Sequence, residues 1–189
     1  MHTHSFADYM RAIERDDWHT VGELMLSSAE KLAKGGADFL ICPDNTIHQA
    51  LPLMADESPL PWLHIAEEVA KVAEQEGFQK LALLGTKYLM EGPVYPPKLE
   101  ERRIEFQIPN LQERIKINDV IFDELVNGQF LDESRAYFQN VIQRLKQEGC
   151  DAVVLGCTEI PLLIQEEDSP LPILDSTRLL ARAALRYSL

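Results

Sequence analysis

One pattern recurs along this chain and constrains its fold more than any other. A short, continuously apolar run is followed by a turn of small or polar residues, and then by a helical period. Ala37 to Cys42 leads into Pro43-Asp44-Asn45-Thr46 and a helix predicted from about Ile47. Lys80 to Leu84 leads into Gly85-Thr86 and a helix near Tyr88. Ala152 to Leu155 leads into Gly156-Cys157-Thr158-Glu159 and a short helix, and Leu171 to Leu174 leads into Asp175-Ser176-Thr177 and the final helix. Strands without polar alternation are buried on both faces, which is the habit of parallel sheets. The intervening helices carry the matching period. Asp17 to Lys34 places Val21, Leu24, Met25, Ser28, Ala29 and Leu32 on one stripe and ends at Gly35-Gly36. His64 to Glu76 stops at Gly77, and Ser134 to Glu148 stops at Gly149, where glycine is the expected helix terminator. Strand, helix, strand in this order predicts an α/β fold with a doubly wound sheet.

Two of these units resemble each other. Lys34 to Ile41 and Gln147 to Leu155 each run from a helix end through glycine into an apolar strand, and each is followed by a turn containing a threonine. The reading is two pseudo-symmetric lobes, parallel sheets flanked by helices, with the two turns facing across a cleft. The first lobe is expected to take residues 1–78 plus 172–189, and the second 79–171. Pro93, Pro96, Pro97 and Pro109 mark an irregular covering segment.

Composition narrows the partners. The 189 residues carry a formal net charge of -13, which offers little attraction to nucleic acid or to an anionic membrane surface. No window approaches the roughly 18 apolar residues of a membrane helix. The three cysteines form neither a disulfide framework nor a zinc-like cluster, so the reading is a cytoplasmic protein with reduced thiols and no metal. The acidity also poses a problem. A protein of this charge that binds an anionic ligand must gather positive potential locally, from backbone N–H groups or a few basic side chains.

Ligands of doubly wound sheets sit at the carboxyl ends of strands, where helix N-termini present free N–H groups. Asn45, Thr46, Thr86, Thr158 and Ser176 are therefore candidate donors; singly each reads first as a helix cap, and together on one rim they favour a carboxylate or phosphate site. No dinucleotide fingerprint or P-loop is present. Cys157 is the sharpest single residue, directly after a strand and at a helix start, where the dipole is expected to stabilise a thiolate. Cys42 and Cys150 read as structural.

At these positions the chain resembles the aspartate/glutamate racemase family. Gly156-Cys157-Thr158-Glu159-Ile160-Pro161 is similar to that family's Gly-Cys-Thr-Glu-apolar-Pro motif, and Asn45-Thr46-Ile47-His48 to its Asn-Thr-x-His motif. Leu84-Gly85-Thr86 with Met90 and Tyr95 is similar to its Gly-Thr-x-x-x-Met segment, and Gly128 follows the expected intervening helix. The resemblance implies a homodimer and catalysis in an interlobe cleft without pyridoxal phosphate or metal. It further implies inversion of the α-carbon of a small amino acid, acidic by the family's commonest preference. One acid/base group serves each face of that carbon while N–H and hydroxyl donors steady the carboxylate. Cys157 would serve one face. Asn45, Thr46, Thr86 and Thr158 would bind the carboxylate, Glu159 would contact the amine or orient its turn, and His48 would orient the first turn.

Two departures qualify the transfer. The family carries Cys, or in some members Thr, before Asn-Thr-x-His, and here Asp44 stands there, as the second acid/base or as a cap only. Members also open with a strand and a glycine-rich turn, whereas this chain begins near the second strand, at about Met1 to Phe6, so the first lobe is expected to lack its opening strand. The competing readings are an activated-malonate decarboxylase that protonates a carbanion from the single Cys157, and a non-catalytic small-molecule-binding relative.

Overall fold

The computed structural model describes residues 1–189. Six strands form two sheets, and every pairing is parallel. The larger sheet has the order β4-β3-β5-β6, with β3 Lys80–Leu84, β4 Glu105–Gln107, β5 Ala152–Leu155 and β6 Ile173–Asp175. Apart from Lys80, its central strands β3 and β5 are apolar because both faces are covered. Leu81, Leu83, Ala152 and Val154 enter a cluster with Ala66, Val69 and Tyr95 on one side. Ala82, Leu84, Val153 and Leu155 enter another with Ile117, Phe138 and Ile142 on the other. Successive residues of one strand thus feed opposite cores, as the period of two requires.

The smaller sheet has only β1 (Leu40–Ile41) and β2 (Trp62–Leu63). Helices α1 (Phe6–Ile13) and α2 (Trp18–Lys34) pack beside it, with Ala12, Val21, Met25 and Ile47 in a third cluster. The expected strand at Met1 to Phe6 does not form. Residues 1–5 pair with no strand, His2 Nδ1 instead lies 3.0 Å from Ser28 Oγ on α2, and Phe6 begins α1. The predicted long helices are present: α2 is capped by the Asp17 carboxylate, α4 spans Ile65–Glu76, and, after the shorter α5 (Lys87–Glu91), α6 (Pro96–Glu100) and α7 (Leu111–Asp119), α8 spans Asp132–Gln147. Gly77 closes α4 with φ of 79°, the left-handed conformation that favours glycine. The helix expected near Ile47 is a 3₁₀ turn over Thr46–Ala50 that continues into α3, Leu51–Met54.

One expected boundary shifts. Residues 173–175 hydrogen-bond into the larger sheet beside β5, so the segment from 172 does not return to the first lobe until α10, Ser176–Tyr187. That helix packs on α4 and also touches β1, β2 and β6. No helix is long and apolar enough to cross a membrane.

Candidate active site

The turns after β1, β3, β5 and β6 converge. Two glycines let them do so. An added Cβ on Gly85 would lie 2.6 Å from Leu89 Cδ2 and 3.1 Å from the Gly156 oxygen, and one on Gly156 would lie 2.3 Å from the same methyl. The Gly156 N–H donates to the Leu84 carbonyl at 2.7 Å. The ends of β3 and β5 are thereby pressed together, and Thr86 and Cys157 emerge side by side from them.

The first turn is held from several directions. Thr46 Oγ1 meets Thr86 Oγ1 at 3.1 Å, which joins the turn after β1 to the turn after β3. Buried Asn45 is engaged at both ends of its amide. Its Oδ1 accepts from the Tyr95 hydroxyl at 2.7 Å, and its Nδ2 donates to Ser176 Oγ at 2.9 Å. Ser176 Oγ in turn donates to the Leu155 carbonyl, two residues before Cys157. A buried hydrogen-bond chain therefore ties the turn of Asp44 to the turn of Cys157. Burial holds the Tyr95 hydroxyl protonated and a donor. Thr158 is exposed, and its hydroxyl has no protein partner.

His48 is buried and fixed in one neutral tautomer. Its Nδ1 lies 2.7 Å from the Asp44 carbonyl oxygen, which can only accept, so Nδ1 carries the proton. Its Nε2 accepts from the Ile65 N–H at 3.3 Å. The imidazole thus bridges the Asp44 turn and the start of α4. Burial lowers the His48 pKa to about 3, and the neighbouring His64 is lowered to about 4 by burial. A folded-state value depressed below the free value of about 6.5 means that the unfolded chain takes up the proton first. The stability contributed by neutral His48 is complete above about pH 6.5 and is lost as pH falls towards 3. A loss on the order of 2 kcal/mol by pH 5 is expected. Denaturant midpoints measured from pH 7 to 5 should fall more steeply for the native chain than for His48→Gln, and equal slopes would contradict this.

Asp44 lies within electrostatic reach of Cys42, Cys157 and Glu159. Asp44 is solvent-exposed, although protein atoms crowd around its carboxyl. Its carboxyl is raised by that enclosure and by the Glu159 charge, against the opposing hydrogen bond from the Ile47 N–H at 3.0 Å. The cap contact considered from sequence is therefore present, and a second carboxylate oxygen remains beside it. Cys42 packs against the first-lobe cluster, its thiol pushed up to about 12 by burial and by Asp44. Cys150 is buried in the core of the larger sheet.

Cys157 corrects one expectation. Its thiol was expected to be favoured as thiolate by a helix N-terminus, but α9 is only Ile160–Leu163. Burial and Glu159, whose carboxylate accepts from Sγ at 2.9 Å, instead raise the thiol well above its ordinary value. At neutral pH Cys157 is thus an S–H acid with a carboxylate at hand to receive its proton. Glu159 touches the thiol itself. Among the residues that hold this site, Ser176 was marked from sequence only as a donor, and Tyr95 was noted only within the resemblance. Neither carries a local signal for its contact with Asn45, 131 and 50 residues away.

The fold and the converging turns define the class: a parallel α/β protein whose strand-end turns bring a thiol and a carboxylate together. The chain belongs to the Asp/Glu/Hydantoin racemase family, whose model matches residues 1–184. It is 26% identical to the broad specificity amino-acid racemase RacX of Bacillus subtilis over 93% of this chain and 74% of that protein. A crystal structure assigned to the Asp/Glu racemases, from Yersinia pestis, superposes with a TM-score of 0.89 at 33% identity, covering 98% of this chain and 81% of that one. An aspartate racemase homologue from Pyrococcus horikoshii gives a TM-score of 0.80 at 29% identity over 92% and 76%. The chain spans 61% of the length of the glutamate racemases from Thermus thermophilus that it also matches. Arylmalonate decarboxylase shares the fold alone, at 15% identity and a TM-score of 0.56.

Proposed function

We propose that this protein inverts the α-carbon of a small amino acid by acid/base catalysis in the cleft, without pyridoxal phosphate or metal. The observation that carries the reading is the pairing of Asp44 with Cys157–Glu159 on strand-end turns tied together through Asn45 and Ser176. Cys157 serves one face of the substrate and Asp44 the other. The α-hydrogen is very weakly acidic, so its removal needs a base on one face, a donor on the other, and donors that hold the carboxylate as it takes up enolate charge. Thr158, the Thr46–Thr86 pair and the Asn45 amide supply those donors.

The resting protonation suits one direction directly. The Asp44 carboxylate, made more basic by enclosure, takes the α-hydrogen as a proton, and the Cys157 thiol delivers its proton to the opposite face. The site is left with protonated Asp44 and a Cys157 thiolate. In the reverse direction that thiolate is the base and protonated Asp44 the donor, a state reached from the resting one when the Cys157 thiol releases its proton through Glu159 and Asp44 takes up a proton from solvent. Which side chain the cleft accepts is a separate matter, decided by its charge.

The test is hydrogen exchange in deuterium oxide with single enantiomers, without added cofactor and after dialysis against a chelator and a carbonyl reagent. Deuterium at the α-carbon together with racemisation is the expected result. Loss of activity with either dialysis would overturn the cofactor-independent reading. Release of carbon dioxide from a malonate half-acid without racemisation would assign the site to decarboxylation instead.

A further inference from the structure

The charge inside the cleft has a sign, and it is negative. Glu159 and Asp44 are both carboxylates, and neither is in an ion pair. Glu159 accepts from the Cys157 thiol at 2.9 Å, and Asp44 Oδ1 accepts from the Ile47 N–H at 3.0 Å. The Asp44 charge raises Cys42 and Cys157, the Glu159 charge raises Asp44 and Cys157, and no lysine or arginine stands among the charges that act on these three groups.

The basic side chains nearest in sequence to the four turns form no ion pair with Asp44 or Glu159. Lys87, next to Thr86, is exposed and lies over the Tyr88 ring at 5.0 Å. Arg178, in the first turn of α10, is largely exposed and sits 3.6 Å from the Asp175 carboxylate. The problem posed by a net charge of -13 therefore goes unanswered in the cleft. Hydroxyl, amide and backbone donors are present for one carboxylate, and no lysine or arginine pairs with Asp44 or Glu159.

We propose that the cleft takes amino acids whose side chain is neutral or cationic, and discriminates against a side-chain carboxylate, because Asp44 and Glu159 face the substrate without a compensating cation. The inference rests on the racemase reading and deepens it, and it departs from the acidic preference expected from the family resemblance. The charge count is simple. A zwitterionic amino acid brings one ammonium, which one of the two carboxylates neutralises. A side-chain carboxylate would add an anion beside the other. Uncompensated like charges in such a site are strongly unfavourable and act chiefly on specificity.

The test uses isosteric pairs that differ only in charge: asparagine against aspartate, and glutamine against glutamate, with lysine as the cationic arm. The amides or lysine are expected to exchange the α-hydrogen with kcat/KM about 100-fold above the acids. Glu159→Gln should narrow that ratio whatever it does to the absolute rate, and Arg178→Ala should leave the ratio unchanged. An acid processed as well as its amide, or an acid preference that Arg178→Ala removes, would overturn the proposal. Binding is measured in parallel, as protection of Cys157 from alkylation located by peptide mass spectrometry. Protection by the amides or lysine but not by the acids, with no exchange, would uphold the charge preference and sink the racemase reading. No protection by any of the five would overturn both.

Discussion

Cys157→Ser should lower racemisation by about 10²–10⁴-fold while the protein stays folded, the range typical of a general acid/base. Serine keeps the size and a donor to Glu159, but its hydroxyl is a far weaker acid than a thiol. The substitution therefore isolates proton transfer from packing. Cys150→Ser is the control, because that thiol is buried beneath the larger sheet and away from the turns. It should reduce stability modestly, by placing a hydroxyl among apolar neighbours, and leave kcat nearly intact. Equal losses of kcat from the two substitutions, at equal folded fractions, would show that the thiol at 157 has no chemical role.

Asp44→Asn should abolish net inversion and leave exchange of the α-hydrogen on one face only. Asparagine can keep the contact to the Ile47 N–H that the carboxylate now makes, so helix capping survives and acid/base capacity does not. The enantiomer whose hydrogen faces Cys157 should continue to take up deuterium, while the other should not. A residue that only caps the turn would leave both enantiomers and both rates as they were, so that outcome would remove Asp44 from the mechanism. In the native protein the two faces meet a thiol and a carboxylate of different acidity. Enantiomers of equal energy must share one kcat/KM, so the asymmetry should appear in kcat and in the partition of deuterium between recovered substrate and product.

The elements that a reader of the residues can find are those whose signal is local. Apolar runs buried on both faces mark β3, β5 and β6, and a stripe of period 3.6 marks α2, α4 and α8 with their glycine stops. Those signals arise from chain geometry and solvent exclusion, so they are present before any long-range contact forms. The Asn-Thr-x-His and Gly-Cys-Thr-Glu segments likewise announce which turns carry polar groups. The absence of a strand at Met1 to Phe6, and the alignment of β6 with β5 rather than with the first lobe, are choices between partners distant in sequence, to which local pattern is blind.

The residues alone determined that this chain builds a parallel α/β protein with Cys157 and Asp44 at strand ends, because backbone period and turn chemistry are written in consecutive residues. Only the tertiary structure decided their protonation and company. Asn45 is spent on Tyr95 and Ser176, His48 is locked neutral between the Asp44 carbonyl and Ile65, and the Cys157 thiol is held by Glu159 instead of being released by a helix dipole. Proton affinity depends on burial and on every charge within a few ångströms, and those distances are set by the folding of the whole chain.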